Sequence, residues 1–230
     1  MKIITGTSDF LPFFNKTPEM LDTRELLLDA ACQLFAEHGF NKVTTRMIAQ
    51  KANVNLGSIH YHFGNKEGLY FETFRIAINA NSPLTIEKLL AVDPTLLNTP
   101  EGKAYAIQRL AYDYYNRHYN IPEKWKRQLI FRELFSPSPV YPKLVDEVLK
   151  YESEKMMEFY FMLVPNASPT DAFVWAHYPD TQATYYLMAE APIAKHHGQD
   201  FVEELNRNVI KTTTRMMIML LDLPVPEILK

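Results

Sequence analysis

Between Thr44 and Lys66 the chain gathers side chains that can hydrogen-bond a polyanion: Thr45, Arg46, Asn55, Ser58, His60, Tyr61, His62 and Lys66. Hydroxyl, amide and imidazole groups can meet the base edges of a duplex, whereas guanidinium and ammonium groups meet its phosphates. Little else in the sequence is arranged for chemistry. The single cysteine, Cys32, has no partner for a disulfide or a CxxC metal site. His196 and His197 are adjacent, so on a helix they point about 100° apart. Neither an HExxH motif nor a cysteine set accompanies them, and we expect no bound metal and no cofactor. No G-x-S-x-G, P-loop or dinucleotide fingerprint occurs, and paired carboxylates such as Glu203 and Glu204 lie in a charged run. The residues therefore do not predict an enzyme.

Bulk properties leave these local groups to do the work. With 230 residues, 47% of them apolar, the chain has room for a small head and a larger body. A formal net charge of -3 excludes a generally basic protein, so any nucleic-acid contact must be local. After Met1-Lys2-Ile3-Ile4, Gly6, Ser8 and Asp9 interrupt the apolar start, which predicts no signal peptide. No window reaches about 18 charge-free apolar residues. The expectation is a soluble cytoplasmic chain with no membrane contact, and the lone cysteine suits a reducing compartment.

The elements that must hold the polar groups are helices. Apolar residues recur at helical spacing, only 7 glycines occur, and nothing alternates as strands do, so the fold class is all-α. Prolines after capping residues, as in Ser82-Pro83, Thr99-Pro100, Tyr141-Pro142 and Ser168-Pro169, punctuate roughly nine or ten helices. Residues 1–21 have no period and read as an irregular N-terminal arm. A first helix is expected from Thr23 to His38, with Leu26, Leu27, Ala30, Ala31, Leu34 and Phe35 on one stripe and Gly39 as its stop. Thr44 caps a short second helix, Asn53-Val54-Asn55 makes a tight turn, and a third helix spans about Leu56 to His62. Asn65 caps a fourth that runs from Lys66 to about Asn81.

This is a helix-turn-helix. Its second helix is short enough for a major groove about 12 Å wide, and a small core of Ile48, Ala49, Ala52, Val54, Ile59 and Phe63 fixes it. Asn55, Leu56, Gly57, Ser58, His60, Tyr61 and His62 are left around the groove-facing surface. Arg46 and Lys66, at helix N-termini, suit phosphate. Between Thr23 and Tyr70, Arg24, Arg46, Lys51 and Lys66 face Glu25, Asp29, Glu37 and Glu67, so one copy neutralises few phosphates. A homodimer follows from that near balance.

The stretch TRELLLDAACQLFAEHGFNKVTTRMIAQKANVNLGSIHYHFGNKEGLYFETF, about a fifth of the chain, resembles the N-terminal domain of TetR-family transcriptional regulators. The matching runs are Ala31 to Phe40, Thr44 to Ala49 and Val54 to Leu69. The resemblance implies a repressor, less often an activator, that binds a palindromic operator in double-stranded DNA as a homodimer and leaves it when a small-molecule effector enters the C-terminal domain. Carried over by position, the DNA contacts are Thr45, Arg46, Asn55, Leu56, Gly57, Ser58, His60, Tyr61, His62 and Lys66. His60 stands where the family often has Tyr. The run Phe131 to Pro139 is similar to the R-E-L-x-x-P-S/T-P pattern of CecR-type members. An all-α ligand-binding protein without operator binding is the other class considered.

These readings divide the chain into the arm 1–21, a helix-turn-helix domain at 22–70, and a ligand-binding and dimerisation bundle at 71–230. Helices are expected at about Pro100 to Tyr119, Pro122 to Phe135, Pro142 to Leu163, after Ser168, and at about Asp200 to Leu221, with Pro179 kinking or splitting one near Tyr178. An effector of unknown identity calls for an apolar pocket with a few polar groups, and the candidates are Tyr105, Tyr112, Trp125, Arg132, Glu133, Trp175 and His177. The resemblance implies that the last two helices pair with their copies, an interface that Met216, Met217 and Met219 suit, and that two reading helices are spaced by about 34 to 36 Å.

Overall fold

The computed structural model describes residues 21–78, 85–118 and 124–230. The N-terminal arm up to residue 20, the Pro83 boundary, Tyr119 and Pro122 lie outside the described residues. Among the described residues there are twelve α-helices and no strand, so the chain is all-α. They are α1 (Thr23–His38), α2 (Thr45–Lys51), α3 (Gly57–Phe63), α4 (Lys66–Ala77), α5 (Thr85–Val92), α6 (Pro100–His118), α7 (Lys124–Phe135), α8 (Tyr141–Leu144), α9 (Lys150–Leu163), α10 (Pro169–Ala176), α11 (Tyr178–His197) and α12 (Gln199–Met219).

Two compact units form. The first holds α1 to α4 together with 121–148, which carry α7 and α8; the second is built from 83–120 and 149–230. The first unit is thus larger than the 22–70 segment, because it keeps the whole of α4 and takes back α7. The reason lies in α1. Besides the expected stripe, Leu28, Cys32 and Ala36 form a second one at intervals of four, and all three are buried. A helix with two apolar stripes needs neighbours on both sides, and α7 packs on α1 as α2 and α4 do.

Helix ends follow local chemistry. Asp22 accepts from the Glu25 amide at 2.8 Å while Glu25 accepts from the Asp22 amide at 3.0 Å, a reciprocal cap of the kind that contributes about 1 kcal/mol. Thr44 and Ser168 cap α2 and α10 through their hydroxyls, and Asn65 caps α4 through its carbonyl oxygen. Pro179 falls in the first turn of α11, where its missing N–H costs nothing, so the chain splits at His177 between α10 and α11. The expected helix from Pro142 to Leu163 is broken instead into α8, a wider π turn over Val145–Leu149, and α9.

In the second unit α6, α9, α10 and α12 share a core of Ile107, Phe159, Trp175, Met217 and Ile218, closed by Leu229 from the last helical turn. Lys103 donates through Nζ to the Leu163 carbonyl at 3.2 Å, a cation at the end of α9, where the helix dipole favours one. Among the methionines near the C-terminus, Met217 is core, Met216 half-buried and Met219 half-exposed.

Cys32 is fully buried, and burial, reinforced by the nearby Asp29 carboxylate, drives its thiol far above the ordinary cysteine value. Since the thiolate is the reactive form, Cys32 should be inert in the folded chain. Titration with a chromogenic disulfide reagent at pH 8 should find no reactive thiol in native protein and one after denaturation; a fast-reacting native thiol contradicts this packing.

Candidate nucleic-acid interface

The α2–α3 turn is built by backbone and Asx chemistry. Val54 donates to the Ala49 carbonyl at 3.0 Å, and Asn53 takes the left-handed conformation with φ of 52°, which Asn tolerates well. Asn55 then accepts from the Gly57 amide at 2.8 Å and starts α3. That bond fixes its carbonyl oxygen toward the turn, and its amide NH2 supplies two donors for a base or phosphate. Ile59 is 3% exposed and anchors α3 on the core, while Tyr61 on the same helix is 84% exposed and Leu56 half-exposed.

His60 is exposed, and its Nδ1 lies 2.5 Å from the Gly64 carbonyl oxygen. A carbonyl only accepts, so Nδ1 carries the proton and Nε2 of a neutral ring is an acceptor. This differs from the hydroxyl of a tyrosine, which both donates and accepts. His62 is half-buried, with its ring edge-to-face on Tyr61 at 4.9 Å. Ser58 and Thr45 are half-buried and Arg46 is exposed in the first turn of α2.

Lys66 opens α4, with its Nζ 4.1 Å from the centre of the Phe40 ring. Partial burial lowers its pKa from the ordinary lysine value, and the neighbouring Glu67 opposes that. Phe40, between α1 and α2, ends the Ala31 to Phe40 run and carries no polar group that would mark it as functional in the sequence. Lys42 also belongs to the segment, so between Thr23 and Tyr70 five basic residues face four acidic ones, an excess of one positive charge. Gly68 lets α4 approach α3: a Cβ there would stand 2.1 Å from the Phe63 carbonyl oxygen.

The seven effector candidates divide between the two units. Trp125, Arg132 and Glu133 belong to α7 in the first; Tyr105, Tyr112, Trp175 and His177 belong to the second. Arg132 donates through Nη2 to the carbonyls of Ala36 at 3.3 Å and Glu37 at 3.1 Å, at the end of α1. Glu133 is 1% exposed and accepts from the Tyr70 hydroxyl at 2.5 Å, the Ser138 amide at 3.0 Å and the Ser138 hydroxyl at 2.8 Å. Trp125 is half-buried.

In the second unit Trp175 is core, between Phe159 and Tyr160, and donates through Nε1 to the Met217 carbonyl at 3.2 Å. Tyr112 is half-buried at the edge of that core and Tyr105 is half-exposed. His177 belongs to a polar network. Its Nε2 is 2.9 Å from Ser153 Oγ, its Nδ1 is 3.0 Å from an Asp180 carboxylate oxygen, and the Tyr114 hydroxyl donates to the other oxygen. Burial pushes Asp180 up to about 7 and lowers His177. The order Ser, His, Asp is that of a hydrolase triad. Yet Ser153 lies within a helix, whose N–H groups run along the axis to carbonyls one turn back, and not toward an oxyanion beside Oγ. Among the described residues no group of three or more His, Cys, Asp or Glu could hold a metal, and no helix is long and apolar enough to cross a membrane.

Residues 27–73 match the family of bacterial regulatory proteins of the tetR type. Over 54 residues the chain is 46% identical to the probable acrEF/envCD operon repressor of Escherichia coli, covering 24% of each protein. Over 92 residues it is 33% identical to the HTH-type transcriptional repressor Rv1474c of Mycobacterium tuberculosis, covering 38% of this chain and 47% of that one. The matches thus span less than half the length of these relatives. A mutant HlyIIR protein of known crystal structure shares the fold with a TM-score of 0.52 at 20% identity, over 86% of this chain and 99% of that one. The first unit therefore contains a helix-turn-helix of the tetR type, set in an all-α chain.

Gly68→Ala tests how the interface is assembled. Its new methyl meets backbone and not a flexible side chain, so α3 and α4 must separate, at a cost of about 1–3 kcal/mol. Thermal unfolding followed by circular dichroism should show a Tm lower by several degrees; an unchanged Tm would contradict the close approach.

Proposed function

We propose that the chain is a sequence-specific DNA-binding transcriptional regulator, a repressor that binds a palindromic operator as a homodimer and is released by a small-molecule effector. The observation that carries the reading is α3 itself. One side of it is anchored by Ile59, and around the rest lie Ser58, His60, Tyr61 and His62, within a segment that matches tetR-type regulatory proteins. Tyr61, 84% exposed beside two histidines, is not committed to the core and can stack on or hydrogen-bond a duplex. The repressor names of the relatives support the sign of regulation.

Thr45, Arg46 and Lys66 fasten the head to phosphates, while Asn55, Leu56, Gly57, Ser58, His60, Tyr61 and His62 meet the groove. A head with an excess of one positive charge binds weakly alone, which favours two copies on one site. On α11 and α12, Tyr185, Met188, Phe201 and Met219 are exposed in the single chain, and these apolar side chains suit a dimer contact. For the effector, the Ser153, His177, Asp180 and Tyr114 network offers both donors and acceptors beside the Trp175 core. The Phe131 to Pro139 run supports a place among CecR-like members.

Mobility shifts on the protein's own promoter region at two salt concentrations test the reading. Dimer-dependent retardation that weakens steeply with salt is expected, and its absence from every fragment sinks the autoregulatory repressor. The division of labour within the head has its own check. Lys66→Ala should weaken binding about equally on all operator variants and shallow the salt slope by about one unit, whereas Ser58→Ala and Tyr61→Ala should reorder the variants. Identical rankings for all three would refute it.

A further inference from the structure

Two adjacent residues of α7 hold the chain on both sides of the ring beneath Lys66. Arg132 reaches the Ala36 and Glu37 carbonyls, and its Cδ occupies the space beside Gly39, where a Cβ would stand 2.9 Å away. Gly39 has φ of 78° and ψ of 166°, a conformation nearly confined to glycine, so this stretch of backbone has one shape in which to present Phe40. Glu133, from the other side, takes the Tyr70 hydroxyl at 2.5 Å. The Tyr70 ring packs edge-to-face on Phe40 at 5.1 Å and on Phe35 at 4.8 Å. Phe40 carries the Lys66 ammonium on its face at 4.1 Å. Lys66 and Tyr70 are themselves one turn apart on α4 and share a face.

Arg132 and Glu37 are exposed, but Gly39, Phe40, Tyr70 and Glu133 are buried and Lys66 half-buried, and all belong to the same compact unit. Burial, and then the Glu133 hydrogen bond and charge, raise the Tyr70 phenol well above its ordinary value, so it remains a donor. Ser138 completes the carboxylate's shell from the Ser136-Pro137-Ser138-Pro139 segment, so Glu133 cannot turn away without stranding two more donors.

We infer that Arg132 and Glu133 are positioning residues for phosphate contact by Lys66, acting through Gly39, Phe40 and Tyr70, and not ligands for an effector. The inference rests on the DNA-binding reading for its consequence but not for its geometry. It makes α7, a helix distant in sequence from the helix-turn-helix, part of the DNA-reading apparatus, since a shift of α7 moves the ring on which the lysine rests.

The test uses the full chain with Tyr70→Phe, which keeps the ring and deletes only the hydroxyl, together with Glu133→Gln, Lys66→Ala and the double variant Tyr70→Phe/Lys66→Ala. The first measurement needs no DNA. The Lys66 ε-methylene protons, over the Phe40 face, should carry a ring-current shift in two-dimensional carbon-proton NMR, assigned by its loss in Lys66→Ala. That shift should move toward the value of a free lysine in Tyr70→Phe and in Glu133→Gln. The second measurement is affinity for the promoter fragment that the wild type binds. Tyr70→Phe should weaken it about three- to tenfold on all sequence variants and shallow the salt slope, and the double variant should lose about no more than Lys66→Ala alone.

A Lys66 resonance unchanged in folded Tyr70→Phe overturns the inference, as do losses that simply multiply in the double variant. If Glu133→Gln does not fold, Tyr70→Phe decides. If the wild type binds no fragment, the regulatory reading falls, and a Lys66 signal indifferent to Tyr70 then separately refutes the linkage, while a responsive one sustains it.

Discussion

The first unit is organised around a carboxylate that has to be satisfied without water. Glu133 is 1% exposed, and a buried charge without partners would cost several kcal/mol, so its oxygens must find donors inside the protein. They find the Tyr70 hydroxyl from α4 and the amide and hydroxyl of Ser138 from the turn beyond α7. Hydrogen bonds are directional where apolar contacts are not, and α7 is thereby given one register against α4. Its neighbour Arg132 does the same at the end of α1, where carbonyls at the C-terminus of a helix lack intrahelical partners and favour a cation. The helix-turn-helix is held from behind by this pair.

That arrangement changes the division of the chain. Two segments distant in sequence, Thr23–Ala77 and Lys124–Leu144, make one compact unit, and the chain leaves for the second unit between them and again after them. The cost is loop closure, which grows only slowly with loop length. What is gained is a cover for the second apolar stripe of α1. Leu28, Cys32 and Ala36 are all buried in the full chain, where α7 packs on α1.

The second unit depends more on apolar packing. Trp175 fills its centre, with the indole N–H given to a backbone carbonyl, as a buried tryptophan requires. At its polar network, Ser153, His177, Asp180 and Tyr114 come from α6, α9 and the α10–α11 junction. Residues so separated become one site only through packing.

What was legible in the chain is what is local. Helix α1 could be read from its apolar stripe and Gly39, and the starts of α2 and α4 from Thr44 and Asn65, because a cap acts within one turn. The match to tetR-type proteins over residues 27–73 was legible as a string of adjacent residues, since positions on a short helix are neighbours in sequence too. The split at Pro179 was foreseen as one of two outcomes, because proline restricts its own turn. Tertiary packing gives Arg132 and Glu133, which the sequence places among the effector candidates, their contacts: Arg132 caps α1 and Glu133 holds Tyr70. It also decided that Trp175 is core, that α7 joins the head, and that Phe40 underlies Lys66. These facts depend on partners dozens of residues away, and helical periodicity says which face of a helix is apolar but not which neighbour will cover it.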